Sequence, residues 1–478
     1  MPWRAWVGML AAGLLMPQPA RKQVSLIVTN GTVVTMDAAS RVIAAGAIAI
    51  DGRDIAAVGT AEAIAAAFSA PETIDAAGQI VLPGLINTHT HAPMVLYRGL
   101  ADDLALMEWL QKYIFPAEAR TVTADFVRAG TRLAALEMIQ SGTTTYADMY
   151  YFEEVIAAAT RDAGLRGVLG QTIIQFPVPD AKTPADGLAR ATAFVKQFAG
   201  DPLITPAFAP HAMYTLDTAM LKSIKAAADR EGAPLIIHLA ETRDEIAISR
   251  KQHNATPVQY LEAIGFWNPG SGAANSAFAS GSGGTRRTLA AHAVHVSPAD
   301  IRILAQRGVG VSHNPESNMK LASGTAPVVA MRTAKVQVGL GTDGAASNND
   351  LDMFEAMRQA ALLHKLQSGD PRVLPARTVL EMATIEGARA LGLDRTIGSL
   401  EPGKRADAIL VSMASARQTP LYDPISHLVY VTRGDDVKTT IVNGKVLMRD
   451  RNVLTLDEPA VLAEARRQAA TVRAAVGK

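Results

Sequence analysis

The sequence predicts an α/β fold: a TIM-type (β/α)8 barrel with a small composite β-sandwich domain formed by both termini. Three observations point to it. Residues 82–393 alternate eight short apolar runs with amphipathic helical stretches. Residues 23–81 and 394–478 share a different texture, of short strands and Asn-Gly or Asp-Gly turns, with a last helical stretch at the C-terminal end. The length of 478 residues is too great for one ordinary domain and suits a barrel with an accessory domain.

The elements follow in order. Residues 1–22 read as an export signal or a tail: Arg4, an apolar run over residues 5–16, then Pro17, Pro19 and Ala20. The first reading places the protein outside the cytoplasm, in a periplasm; the second leaves it cytoplasmic. The run is too short for a stable membrane span. Residues 26–28, 32–35 and 47–50 are strand-like, with Asn30-Gly31 and Asp51-Gly52 as turns between them. Barrel strands are expected at residues 84–87, 143–146, 167–170, 204–208, 235–238, 288–291, 309–312 and 338–341. Helices such as 124–140 and 216–231 fall between them. Residues 268–284, rich in Gly, Ser and Ala, read as a mobile surface loop. Residues 408–411 and 439–442 return to strand texture, with Asn443-Gly444 as a turn.

Composition removes several functions. Lys+Arg is 46 and Asp+Glu 45, for a net charge of +1, with no long basic run to bind nucleic acid. There is no cysteine, so disulfides, thiolate metal sites and cysteine nucleophiles are excluded together.

The histidines carry the chemistry. His89 and His91 form an H-x-H pair after the first barrel strand, and residues two apart in an extended segment point the same way. His238 ends a later strand, and Asp343 follows the last. Barrel enzymes build their sites at these strand ends. Three imidazoles and a carboxylate leave a position for water on one divalent ion, Zn²⁺ first, with Fe²⁺, Mn²⁺ or Ni²⁺ also accepted. Glu241, three residues after His238, is placed to move a proton, and His292 to orient or deprotonate water beside Asp343. His313 fits a substrate or a packing role equally, and His364 has no assigned role.

These residues, in this order, resemble the amidohydrolase superfamily. The segments are residues 82–91, Arg98-Gly99-Leu100-Ala101-Asp102-Asp103, Glu108-Trp109-Leu110, His238-Leu239-Ala240-Glu241-Thr242, residues 312–324 and Gly341-Thr342-Asp343-Gly344. Within it the chain is similar to the adenosine-type deaminase and chlorohydrolase branch, most of all to methylthioadenosine/S-adenosylhomocysteine deaminases. The likeness runs from about Leu26 to Leu447. It implies His89, His91, His238 and Asp343 as ligands of a single metal, since no lysine stands where a second would need a bridge. Glu241, His292 and Asp343 are then the catalytic groups.

The same resemblance gives the substrate contacts. Trp109 is expected to pack on the substrate, Glu118 to accept from ribose hydroxyls and His211 to touch the purine. Gln171 stands where some relatives that deaminate S-adenosylhomocysteine have an arginine, so a homocysteine carboxylate would be poorly held. The implied activity is hydrolytic deamination of an adenine nucleoside: methylthioadenosine, adenosine, 5′-deoxyadenosine or S-adenosylhomocysteine. The alternative is dechlorination or deamination of an s-triazine or another heterocyclic base. A homo-oligomer, dimer or tetramer, is implied as well.

Overall fold

The computed structural model describes residues 21–268 and 288–477. The expected export signal and nearly all of the Gly/Ser-rich segment lie outside the described residues. Eight parallel strands form the barrel wall: β1 Leu85–Thr90, β2 Thr143–Tyr150, β3 Arg166–Ile173, β4 Ile204–Pro210, β5 Leu235–Leu239, β6 Thr288–His292, β7 Gly310–His313 and β8 Gln337–Leu340. Each pairs with its sequence neighbour. All eight expected runs are strands, and most extend further at their carboxyl ends.

The helices between them form where local signals favour them. Thr123 caps Ala124–Ser141 by accepting from Phe126 N, and Gly142 ends it in a left-handed conformation at φ +86°. Asp217 and Gly232 bound Thr218–Glu231 in the same manner.

The seam between β1 and β8 closes through side chains. Thr88 Oγ1 donates to Leu340 O at 2.8 Å, and Asn87 Nδ2 to Thr342 Oγ1 at 2.7 Å. Asp343 N donates to His89 O at 2.9 Å. A side chain at Gly341 would meet Asn314 Oδ1 at 2.5 Å and His89 N at 2.8 Å, so only glycine lets the two strands approach there. On the other side the wall is splayed: β4 and β5 share one register pair, Phe208–Leu235, and a bridge between Ala212 and His238.

Both ends of the chain build a second, nine-stranded sheet. Gln79–Pro83 joins its halves, pairing parallel with Leu26–Val34 and antiparallel with Ala408–Ser412. Val28, Ile48 and Ile50 from one end share a core with Leu410 and Ile441 from the other. Asp51-Gly52 and Asn443-Gly444 are turns, with Gly52, Asn443 and Gly444 all at positive φ. Asn30-Gly31 is not a turn. It sits inside the continuous strand Leu26–Val34, where Asn30 at φ +64° makes a bulge against Val42–Asp51. The terminal helix Glu458–Val476 packs on the barrel helices Ala124–Ser141 and Phe115–Thr121. Among the described residues no helix is long and apolar enough to cross a membrane.

One buried ion pair fastens sheet to barrel. Arg166, at the start of β3, holds Asp407 through Nε at 3.0 Å and Nη2 at 3.2 Å, and Asn443 N also donates to Asp407 Oδ1. Both side chains are at most 6% exposed, so neither charge has water as an alternative partner. Asp407→Ala should lower the unfolding free energy by about 3 kcal/mol, because it strands the guanidinium. Urea denaturation checks this, and a paired Arg166→Met/Asp407→Leu change should recover most of the loss.

Candidate metal centre and active-site cleft

Every residue expected to hold or serve the metal converges at the carboxyl ends of the barrel strands. His89 is inside β1, His91 just past it, His238 in β5, His292 at the end of β6 and Asp343 just past β8. His89 Nε2 lies 3.5 Å and His91 Nε2 3.4 Å from Asp343 Oδ1. His238 Nε2 lies 3.4 Å from His91 Nε2. Ligand atoms at about 2.1 Å from a tetrahedral ion stand about 3.4 Å apart, so this spacing matches a shared ion. His292 completes a second grouping with His89 and His238, so the cluster spans all five residues.

The donor chemistry fits a divalent cation. His91 Nδ1 pairs with Met149 O at 2.7 Å, and His238 Nδ1 with His211 O at 2.9 Å. A carbonyl only accepts, so each Nδ1 carries the proton and each Nε2 turns its lone pair to the centre. Both ring nitrogens of His89 are buried with no hydrogen-bond partner, which is costly unless something else fills the gap. Burial holds all three rings neutral, His89 down to about 4 and His238 far below its ordinary value. Burial works to raise the Asp343 carboxyl, but the closely facing His89 ring and the charge of His292 hold it well below the usual range. The result is three neutral imidazoles around one carboxylate, the set that oxygen- and nitrogen-binding metals accept.

Neighbouring groups fix these side chains. Ser317 and Ser347 donate to Asp343 Oδ2 at 2.7 and 3.0 Å, and Gly344 N to Oδ1 at 2.7 Å. His292 Nδ1 pairs with Asn318 Oδ1 at 3.0 Å, which leaves Nε2 facing Asp343 Oδ2 at 4.0 Å. Burial disfavours a charged His292, but Glu241 and Asp343 outweigh it and raise its pKa. Glu241 lies 3.9 Å from His292 Nδ1, and burial raises its carboxyl above the ordinary range. The strand ends turn inward by left-handed residues: Ala240, His292, Ala293 and Asp343 all have φ between +46° and +72°. Non-glycine residues adopt that conformation only where the surroundings enforce it.

Sequence reasoning missed Glu245. Its carboxylate accepts from Ala240 N at 2.8 Å and Glu241 N at 3.0 Å, bracing the loop that presents Glu241. The available signal was its place in the first turn of Arg243–His253, directly after Thr242 as N-cap.

The cluster opens into a cleft. Trp109, Glu118 and His211 line it, as expected. Glu118 is 5% exposed, accepts from Tyr150 OH at 2.7 Å, and is raised by burial to about 7. His211 is driven by burial to about 3 and pairs with Thr215 Oγ1 at 3.2 Å.

Gln171 does not reach the cleft. Its Oε1 accepts from Glu153 N at 3.3 Å, and its Nε2 donates to Asp180 Oδ2 at 2.9 Å and Thr172 O at 3.2 Å. The amide faces the packing layer outside β3, and its neighbour Thr172 lines the cleft instead. His313 also lies apart from the cluster, its Nε2 paired at 3.0 Å with that of His364, both rings buried.

Residues 80–447 match the amidohydrolase family. The chain is similar to a 5-methylthioadenosine/S-adenosylhomocysteine deaminase of Syntrophobacter fumaroxidans, at 46% identity over 448 residues, 94% of this chain and 98% of that one. It is similar to a 5′-deoxyadenosine deaminase of Methanosarcina mazei, at 45% identity over 446 residues, 93% and 97% of the two chains. Among solved structures it superposes on an adenosine deaminase from Xanthomonas campestris with bound zinc, with TM-score 0.90 and 37% identity over 95% of this chain and all of that one. An atrazine chlorohydrolase from Arthrobacter aurescens complexed with zinc shares the fold, with TM-score 0.82 at 24% identity over 93% and 100% of the two chains.

Elemental analysis of the purified protein should find about one divalent ion per chain. His91→Ala and Asp343→Ala should each lower that occupancy at least about tenfold, while Glu241→Gln leaves it unchanged.

Proposed function

The chain belongs to the amidohydrolase family, and on that premise we propose that it removes the 6-amino group of an adenine nucleoside by hydrolysis, leaving the inosine analogue and ammonia. The observation that carries this reading is the joining, in one cleft, of a cation-binding histidine cluster and a buried carboxylate, Glu118, set apart from it. The first suits water activation and the second suits sugar hydroxyls. The ion we assign is Zn²⁺, which when bound lowers the pKa of water from about 15.7 toward neutrality.

The protein's own groups supply the rest. Asp343, fixed by Ser317 and Ser347, and His292, with Nε2 facing inward, orient the attacking water and take its proton. Glu241, its carboxyl raised by burial, delivers a proton to N1 as C6 becomes tetrahedral. The amine then takes the proton removed from water and leaves as ammonia, while the new C6 hydroxyl returns a proton to Glu241. His211, kept neutral by burial, hydrogen-bonds the purine without adding charge. Trp109 packs on the nucleoside, and the burial of the whole cluster excludes competing water. The triazine hydrolases share the architecture only, and Glu118 has no hydroxyl pair to bind on a triazine.

Glu241→Gln should lower kcat for adenosine by about 10³-fold, measured as ammonia release from metal-loaded protein. Activity within a few-fold of wild type would remove Glu241 from the mechanism. The nucleoside KM should rise as pH falls. Burial raises Glu118 to about 7, so its ionised form, which accepts the sugar hydroxyls, is lost below that pH. Steady-state kinetics between about pH 6 and 8.5 reads this limb, and Glu118→Gln should flatten it at a high KM.

A further inference from the structure

The cleft has two chemically different ends. The histidine cluster and Glu241 form one. The other is built by a continuous helical run: Leu106–Glu108, the π-helical turn Trp109–Ile114, and Phe115–Thr121. That run turns Leu106, Trp109, Leu110, Ile114 and Phe115 into the cleft. π-turns commonly mark sites where a helix re-aims side chains for function. Glu118, one turn beyond Phe115, stands between the two ends in chemistry. With C6 at the histidines and the sugar at Glu118, the 5′ group of a nucleoside falls among the apolar side chains.

Two features of this end are not used by the reaction. The first is charge: among the described residues no lysine or arginine lines the cleft. Arg190, on the helix that follows β3, is instead engaged by Glu154 at 2.7 Å and Asp180 at 3.4 Å. The second feature is Trp109. The residue is 5% exposed and lines the cleft, yet its indole Nε1–H has no hydrogen-bond partner. An unmet buried donor is rare enough to need a reason, and a bound molecule supplies one.

Resting on the adenine-nucleoside reading of the cleft, we propose that the Leu106–Phe115 end is a subsite for a small uncharged 5′ substituent, with the Trp109 N–H donating to a sugar oxygen. A methyl, hydroxymethyl or methylthio group enters with little desolvation. An amino-acid tail would bring a carboxylate into an apolar end whose described lining offers no cation to replace its water. The enzyme therefore discriminates by what the wall lacks, and Trp109 and its apolar neighbours determine specificity.

The test compares kcat/KM of the wild-type, metal-loaded protein for methylthioadenosine, 5′-deoxyadenosine, adenosine and S-adenosylhomocysteine. The expected result is S-adenosylhomocysteine more than about tenfold below methylthioadenosine, with the difference chiefly in KM. A ratio within about tenfold overturns the subsite. Trp109→Phe keeps the ring and removes the donor; it should raise KM for the three small nucleosides by about tenfold while kcat changes little. An unchanged KM in a folded Trp109→Phe protein overturns the hydrogen bond. Absence of turnover on every adenine nucleoside is a different result, since it rejects the underlying function rather than the choice among 5′ groups.

Discussion

The hydrogen bonds from two imidazole Nδ1 atoms to main-chain carbonyls are the constraint on which the site depends. Met149 O and His211 O each take the Nδ1 proton of a neighbouring ring and so decide which nitrogen faces inward. Those carbonyls belong to β2 and to the residue just past β4. The lone pairs of His91 and His238 are thus set by strand positions rather than by side-chain rotamers alone. A shift of the wall by one residue would turn carbonyls to the opposite side and leave the rings free to rotate. The barrel is the instrument by which several distant segments bring one set of donor atoms together.

Electrostatics reinforces the same arrangement. Water is kept from the imidazoles by burial, which holds them neutral without competition from protons. The same burial raises Glu241 and Glu118, while Asp343 is held ionised by the rings it faces. One dry cleft therefore shifts its carboxyl groups in opposite directions, according to which neighbours each one has.

Much of this was legible in the sequence. All eight barrel strands stand where short apolar runs between helical stretches put them, because a parallel strand buried on both faces must read as such a run. The H-x-H pair and the strand-end positions of His238, His292 and Asp343 gathered the cluster before any coordinates did, and the family likeness held over nearly the whole chain. What failed did so for local reasons. Asn30-Gly31 has the composition of a turn, but long-range pairing to Val42–Asp51 keeps the chain extended through it. Gln171 alternates to the outer side of β3, where position by motif cannot say which way a side chain points. Glu245 carries only the signal of an ordinary helix N-terminus, and the π-turn at Trp109 is backbone geometry, which no residue type announces.

The mode of joining at Gln79–Pro83 has a consequence for how the protein is made. This strand pairs with Ala408–Ser412, so an early part of the chain waits for a very late one. Closing so long a loop adds little to its entropic cost, since each doubling of length costs only about 0.6 kcal/mol. The delay lies in synthesis: on the ribosome, the edge of Gln79–Pro83 stays open while the entire barrel emerges. An unpaired edge is a template for other chains, and stalled or shortened products would carry it permanently. Completion of translation is thus also what makes the first-made strands safe from aggregation.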